Sequence, residues 1–290
     1  MNPVGIHVLV WTGESELGEL TQALRATAEA GYDFMELSLH QMDILDPAGL
    51  KAAAAASGLE LTCSRGLAFD ADISSPDPAI VARGADLLSR SIDVTAEMGA
   101  KVLTGPIFSA LGKYGCPLSA AGRANAVTAL RDAARHAASA RVTLGLEVCN
   151  RYETNVVNTA RDARRLADDV GEDNVKVHLD TYHMNIEEDN LYQPVIDAGE
   201  RLGYVHIGEN HRGPLGTGHI DLPLLFEALA HIGYAGPIAF ESFSSEVVSA
   251  GLSNDLAIWR NLWADNVPMA QAAAAHIRSL LRGQELKAQQ

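Results

Sequence analysis

The chain has 290 residues, a formal net charge of −15 and 47% hydrophobic residues. The negative charge disfavours binding to nucleic acid and to anionic membrane surfaces, which are negative themselves. No stretch approaches the roughly 20 apolar residues of a membrane-spanning helix, and the length suits either two domains or one α/β barrel.

Eight short apolar runs, rich in β-branched residues, predict strands along the chain. Helical patterns rich in Ala, Leu and charge, such as "NTARDARRLADDVG", separate them. The runs cover residues 4–11, 33–40, 59–66, 101–109, 142–150, 175–182, 204–211 and 237–244. Strands that alternate with helical crossovers pair in parallel, and eight such units predict a closed (β/α)8 TIM barrel of the α/β class. An open doubly wound sheet is the alternative, but it usually has fewer strands, and no G-x-G-x-x-G follows the first run.

The chain shows no linker, low-complexity tract or charge block, so residues 1–290 are predicted to form a single domain. Residues 252–281, which include Trp259 and Trp263, predict a C-terminal helical extension. These tryptophans are four residues apart, so we expect them on one helix face. Residues 283–290 are predicted to be a frayed tail.

The cellular location is predicted from the N-terminus and the cysteines. The start "MNPVGIHVLVW" lacks the basic region of a secretory signal. Cys63, Cys116 and Cys149 are odd in number and widely spaced, and they suggest neither a disulfide framework nor a zinc motif. The sequence therefore predicts a cytoplasmic protein.

Polar residues stand at the ends of four successive predicted strands, and each is one βα unit from the next. They are Glu147 in "LGLEVCN", Asp180 in "VHLDTY", His206 in "YVHIGEN" and Glu241 in "IAFESF". Successive side chains of a strand point to opposite faces. The bulky apolar residues of these strands, such as Leu144 and Leu146 before Glu147, lie on the face opposite to the polar residues. Because that apolar face packs on the outer helices of a barrel, the four polar groups should point inward at the carboxyl-terminal mouth, where barrel active sites lie.

Three carboxylates that converge in a partly dry mouth repel one another unless a cation lies between them. Oxygen-rich ligation with one imidazole suits Mn²⁺, Mg²⁺ or Co²⁺ better than a structural zinc. Taken singly, a strand-end carboxylate such as Asp180 is more often a helix N-cap, and a lone His206 is more often a core residue. Four groups with matching parity favour a metal site.

Three further polar residues follow in the loops beyond these strands: Glu153, His183 and Arg212. They can be read as solvated loop charges or, for His183, as a packing residue. They can also be read as a rim of donors and acceptors that suits a polyhydroxylated substrate.

Two other features of these loops are assigned no role in binding. Glu187, Glu188 and Glu209 are predicted to be solvated or capping residues. The glycines of "RGPLGTGHID" could hold a phosphate after strand seven, but a turn is favoured because few basic residues are adjacent.

Several long motifs closely resemble those of the ketose 3-epimerases. They are "EVCNRYETN", "HLDTYHMNIEE", "YVHIGENHRG", "GTGHIDL", "FESFSSEVV" and "IWRNLWADN". That family includes D-tagatose, D-allulose (D-psicose) and L-ribulose 3-epimerases and belongs to the xylose-isomerase-like barrels. The resemblance extends from "GIHVLVWTG" to the "WRNLWADN" segment, nearly the whole chain.

The resemblance implies a ketose substrate, a homodimer or homotetramer, and one divalent ion per subunit, Mn²⁺ or Co²⁺. By motif, this ion is held by Glu147, Asp180, His206 and Glu241. The two glutamates are implied to exchange the C3 proton through a cis-enediolate, and the substrate-holding residues fall on Glu153, His183 and Arg212.

The sequence departs from the family pattern around the far end of the implied substrate. Arg65 in "CSRGL" occupies a position where a small or apolar residue is expected. His7 and the 107–117 loop raise the same question about which sugars are preferred.

Three alternatives remain at this point. An aldose–ketose isomerase or inosose dehydratase would share the fold and metal, but the set Glu153, His183 and Arg212 argues against either. An abasic-site endonuclease of the same fold would need more metal ligands and a basic groove. A non-catalytic sugar- or metal-binding protein would need no second acid opposite the first.

Overall fold

A computed structural model of the chain describes residues 2–263 and 265–288. Eight strands form a closed barrel in sequence order, and β1 pairs with β8 in parallel, as all neighbours do. The strands are β1 Val4–His7, β2 Phe34–Ser38, β3 Glu60–Ser64, β4 Val102–Thr104, β5 Thr143–Glu147, β6 Val175–Asp180, β7 Leu202–Ile207 and β8 Ile238–Phe240. The predicted (β/α)8 barrel is confirmed. Most predicted runs extend past the carboxyl end of their strand, because they include loop residues of the mouth.

Ten α-helices connect and follow the strands in the described residues. They are α1 Leu17–Glu29, α2 Pro47–Ala56, α3 Pro78–Glu97, α4 Ala120–Ser139, α5 Ala160–Val170, α6 Thr181–Glu187, α7 Gln193–Ala198, α8 Leu222–His231, α9 Ala250–Asp255 and α10 Asn266–Ala288. Side-chain caps explain where several begin: Asp77 accepts from the Ala79 amide at 2.8 Å, and Ser119 accepts from the Gly122 amide at 3.0 Å. Such caps satisfy amides that have no partner within the helix. Among the described residues, no helix is both long and apolar enough to cross a membrane.

The barrel interior contains a small layer below the mouth, separate from the main core between barrel and helices. Phe34, Tyr204 and Ala239 form its apolar part. Gly5 leaves room for this layer, since a Cβ on Gly5 would come within 2.2 Å of the Phe34 ring. The barrel is therefore filled directly beneath the residues at its mouth.

The C-terminal region differs from its prediction. One helix was expected over 252–281, but α9 ends at Asp255, and Ala257 has a φ of 54°, which a helix cannot continue through. The following segment is held against the loop after β8, where the Ser245 amide donates to the Arg260 carbonyl at 3.2 Å. The helix resumes only at Asn266, as α10. The two tryptophans therefore do not share a helix face, and Trp259 is 70% exposed whereas Trp263 is 9% exposed.

The predicted tail also needs correction. Residues 283–288 continue α10 instead of fraying. This stretch carries Gly283 but otherwise consists mainly of good helix formers, and helix propensity explains the continuation. Residues 289 and 290 lie outside the described residues.

Candidate metal centre and active site

The four strand-end residues meet at the carboxyl-terminal mouth of the barrel. Asp180 and His206 are direct neighbours across β6 and β7, and the Glu241 amide donates to the Ile207 carbonyl at 3.0 Å. Glu147 ends β5. All four are buried, and each offers one ligand atom within 4.8 Å of those of the others. The structure therefore brings together the residues that strand parity placed inside the barrel.

The His206 ring lies at the centre of this cluster. Its Nδ1 atom is 3.4 Å from Glu241 Oε2, 3.6 Å from Glu147 Oε1 and 3.7 Å from Asp180 Oδ2. This nitrogen is buried and has no hydrogen-bond partner among the described residues. Ligands at about 2.1 Å from a hard cation lie roughly 3 Å from each other, so these separations suit a shared ion. The donor set therefore fits a divalent cation.

Asp180 caps a helix with one carboxylate oxygen and turns the other towards the cluster. Its Oδ1 accepts from the Tyr182 amide at 2.7 Å and caps α6. Its Oδ2 faces the cluster and accepts from Arg212 Nη1 at 2.9 Å. The cap fixes the carboxylate and leaves one oxygen available to a ligand.

Arg212 supplies positive charge beside the cluster. Its Nη1 also donates to Glu241 Oε2, and its guanidinium lies 4.1 Å from the Tyr182 ring centroid and 4.9 Å from that of Phe243. Burial raises the pKa of Glu147 to about 7. Burial acts in the same direction on Glu241, but Arg212 and His206 outweigh it and lower the pKa of that carboxyl. Glu147 is therefore the carboxylate that would gain most from further positive charge.

The rim residues are linked through Asn150, which the sequence analysis did not identify. The backbone N–H of Asn150 donates to His183 Nδ1 at 3.1 Å, and the side-chain Nδ2 of Asn150 donates to Glu153 Oε1 at 2.8 Å. Since Nδ1 of His183 accepts a backbone hydrogen bond, Nε2 carries the ring proton of the neutral residue. That Nε2 lies 3.8 Å from Glu147 Oε1 and 3.9 Å from Glu153 Oε2. The predicted rim of donors and acceptors thus adjoins the cluster.

A cavity of about 480 Å³ opens beside the cluster and is lined on its far side by His7 and Arg65. His7 Nδ1 accepts from the Leu9 amide at 3.2 Å, and its Nε2 lies 3.2 Å from Ser64 Oγ. Arg65 donates to the Leu39 carbonyl oxygen, while its Nε is buried and has no hydrogen-bond partner within the described part of the chain. From the 107–117 loop, Leu111 reaches the same cavity. The size is typical of sites for small molecules.

Two inward-facing residues of the interior layer were also missed. Glu36 is on β2, and its Oε2 lies 2.7 Å from His206 Nε2. His178 is on β6, and its Nδ1 lies 2.7 Å from Thr104 Oγ1. A signal for Glu36 was present in the sequence, because it stands between Met35 and Leu37 with the parity used for the other strands. It was overlooked because it lies inside its strand and not at the end.

The three glutamates that the sequence assigned no role in binding, Glu187, Glu188 and Glu209, have structural roles. Glu188 Oε1 accepts from the Ala160 amide at 2.7 Å, where α5 begins, and Glu187 binds Arg151. Glu209 is neither solvated nor a helix cap. It is buried, and its Oε1 accepts from the Gly216 amide at 2.7 Å. The glycine loop thus wraps around a carboxylate, which agrees with a turn and disfavours a phosphate site there.

Comparison with known proteins gives closely similar enzymes. The family model described as xylose isomerase-like TIM barrel matches residues 24–280. The chain is 48% identical to a ketose 3-epimerase of Arthrobacter globiformis, over 96% of either chain. It is 46% identical to an L-ribulose 3-epimerase of Methylomonas sp. (strain DH-1), over 94% of this chain and 96% of the relative. A crystal structure of D-allulose 3-epimerase from Methylomonas sp. in complex with D-allulose superposes with a TM-score of 0.94, at 46% identity and 96% coverage of both chains.

The match over residues 24–280 and the closed barrel show that the chain is a xylose isomerase-like TIM barrel. Within that class the chain belongs to the ketose 3-epimerases, and it is an enzyme of the isomerase type.

Proposed function

We propose that the enzyme epimerises free ketoses at C3 with the help of one divalent cation per subunit, foremost Mn²⁺, with Co²⁺ or Mg²⁺ as substitutes. Glu147, Asp180, His206 and Glu241 would hold the ion. The observation that carries the proposal is the buried cluster, in which two glutamates flank the unpartnered Nδ1 of His206. The names of the similar proteins, which specify ketose, L-ribulose and D-allulose 3-epimerases, support the reaction.

Each part of the site has a task in this reaction. When bound, the cation supplies Lewis acidity, which polarises the C2 carbonyl of the ketose and makes the C3 hydrogen acidic. Glu147 and Glu241 lie at the ends of β5 and β8, with two strands between them, so they can flank the substrate. One removes the C3 proton, and the other returns a proton to the opposite face. A positioned base contributes roughly 10²–10⁴-fold. Reversibility requires that each glutamate can do both.

The rim would hold the substrate through its hydroxyl groups. The Nε2 hydrogen of His183 and the guanidinium of Arg212 donate, and Glu153 accepts. Substrates of this kind include the pairs D-allulose and D-fructose, L-ribulose and L-xylulose, and D-tagatose and D-sorbose. The cavity beyond the cluster, lined by His7 and Arg65, would receive the far end of the sugar.

A panel assay tests the proposed reaction. The purified protein is incubated with Mn²⁺ and each free ketose in turn, and the sugars are separated by chromatography. We expect the C3 epimer of at least one ketose to form. An aldose as the sole product would indicate an aldose–ketose isomerase instead. Saturable sugar binding without any turnover would indicate a binding protein.

We further propose a cytoplasmic homodimer or homotetramer. Tyr152 and Trp259 are large aromatic side chains that are 58% and 70% exposed, and exposed aromatics are enriched at protein interfaces. Light scattering at micromolar concentration should therefore give a mass of two or four times 30.8 kDa. Substitution of Trp259 by Ser should shift this equilibrium towards monomer. A wild-type mass of one subunit would contradict the assembly.

A further inference from the structure

Glu36 is a buried acid for which the proposed reaction has no direct use. It lies in the middle of β2, its side chain is fully buried inside the barrel, and it is not one of the four clustered ligands. A buried carboxylate costs several kcal/mol unless partners compensate its charge. The contacts of Glu36 therefore indicate its structural role.

The first contact sets the hydrogen positions of the His206 ring. Glu36 Oε2 lies 2.7 Å from His206 Nε2. An ionised carboxylate can only accept, so Nε2 must carry a hydrogen in this contact. The lone pair of the neutral ring is then on Nδ1, the atom that lies 3.4 to 3.7 Å from the three carboxylates.

Other contacts hold the carboxylate of Glu36 in place. Tyr204 donates its hydroxyl hydrogen to the same Oε2 at 2.7 Å, and Thr62 Oγ1 lies 2.9 Å from that hydroxyl. On the other side, His7 Nε2 is 3.7 Å from Glu36 Oε1. Because His7 Nδ1 accepts from the Leu9 amide, its Nε2 carries the hydrogen and presents positive potential to Glu36. Residues of β1, β3 and β7 thus fix the acceptor on β2.

We propose that Glu36 is a positioning residue for the metal centre, which orients His206 and fixes the tautomer that presents Nδ1 to the cation. The inference rests on the proposed metal-dependent function and extends it to a residue beneath the ligands. Ligating histidines commonly donate their second N–H to a carboxylate, and loss of such a partner costs about 10–100-fold in metal affinity or activity. Glu36 acts through His206 and does not touch the substrate.

Two variants separate this role from ordinary packing. Glu36→Gln keeps the size but removes the negative charge, and its amide can donate as well as accept, so the contact no longer fixes the tautomer of His206. Phe34→Leu disturbs the packing of the same interior layer but leaves the hydrogen bonds of Glu36 to Tyr204 and His206 in place. By competition with a chelator, we expect the Mn²⁺ dissociation constant to rise about 10–100-fold in Glu36→Gln. It should stay within about 3-fold of wild type in Phe34→Leu, since the contact between Glu36 and His206 remains.

Equal Mn²⁺ affinity in Glu36→Gln and wild type would overturn the inference. An equal loss in both variants would also overturn it, because general damage to the interior would then explain the effect. If wild type itself does not bind Mn²⁺, the proposed metal centre fails, and this result is distinct from the other two.

A spectroscopic measurement on the wild-type protein keeps the inference testable if Glu36→Gln does not fold. In the proton NMR spectrum of the Co²⁺-loaded enzyme, the N–H of the single ligating histidine should give one paramagnetically shifted signal that exchanges with solvent. Its burial beside Glu36 should make exchange with D₂O slow. Absence of this signal would contradict a hydrogen-bonded Nε2, and where Glu36→Gln folds, an unchanged signal in that variant would do the same.

Discussion

Removal of divalent metal should lower epimerase activity at least 100-fold, and Mn²⁺ or Co²⁺ should restore it. The reason is twofold: Lewis-acid polarisation accounts for several kcal/mol of the barrier, and without the cation only Arg212 and His206 offset the charge of the clustered carboxylates. Dialysis against a chelator, elemental analysis and an activity assay measure this directly. Full activity in protein verified to be metal-free would rule out the metal centre.

The same site should couple metal binding to stability. A ligand that binds only the folded barrel stabilises it by about 2.7 kcal/mol at 100 times its dissociation constant, which corresponds to roughly 5 °C in the melting temperature. Asp180→Asn is a suitable control, because its remaining carbonyl oxygen can still cap α6 while the charge at the cluster is lost. Added Mn²⁺ should raise the melting temperature of this variant much less. An equal rise in both proteins would place the ion elsewhere.

Substitution of either cluster glutamate by Gln should abolish net epimerisation in both directions. Gln keeps an oxygen towards the metal but can no longer accept the C3 proton, so roughly 10²–10⁴-fold or more of the rate should be lost. The glutamate that remains can still exchange the proton on its own face of the sugar. In D₂O, Glu147→Gln should therefore introduce deuterium at C3 of one epimer, and Glu241→Gln should do so in the other.

Metal content must be measured in the same samples, because loss of a ligand charge also weakens the site. Glu172→Gln provides a matched control, since this glutamate pairs with Arg135 on the surface and lies outside the cluster. It should retain wild-type turnover. Deuterium at C3 of the same epimer in both cluster variants would argue against a two-face mechanism.

The sequence was sufficient for the barrel and the ligand cluster because both depend on short-range patterns. The strand residues before Glu147 alternate between the two faces of the sheet. In a closed barrel one of these faces points inward, so the direction of each side chain follows from its place in the strand. The convergence of Asp180, His206 and Glu241 follows from the same rule. This part of the site needed only strand parity and strand order.

What the sequence did not predict depends on tertiary contacts. Glu36 has the right parity, but only the barrel shows that it lies against His206 on a strand far away in the chain. Nothing in the sequence distinguishes Asn150 and Glu209 from exposed loop residues. They are buried because loops fold back over them. Trp259 was misplaced because the 252–281 stretch has a helical composition, whereas contacts with the loop after β8 hold part of it out of a helix.

The proposed reaction is a transfer of the C3 proton by two glutamates at a metal centre. It is tested most directly by conversion of a ketose by the wild-type enzyme in D₂O, with NMR analysis of the product. Because the proton removed from one face is replaced from the opposite side, we expect one solvent deuterium at C3 of the product epimer. Complete conversion without deuterium at C3 would contradict the roles of Glu147 and Glu241, and would indicate a transfer that retains the substrate hydrogen.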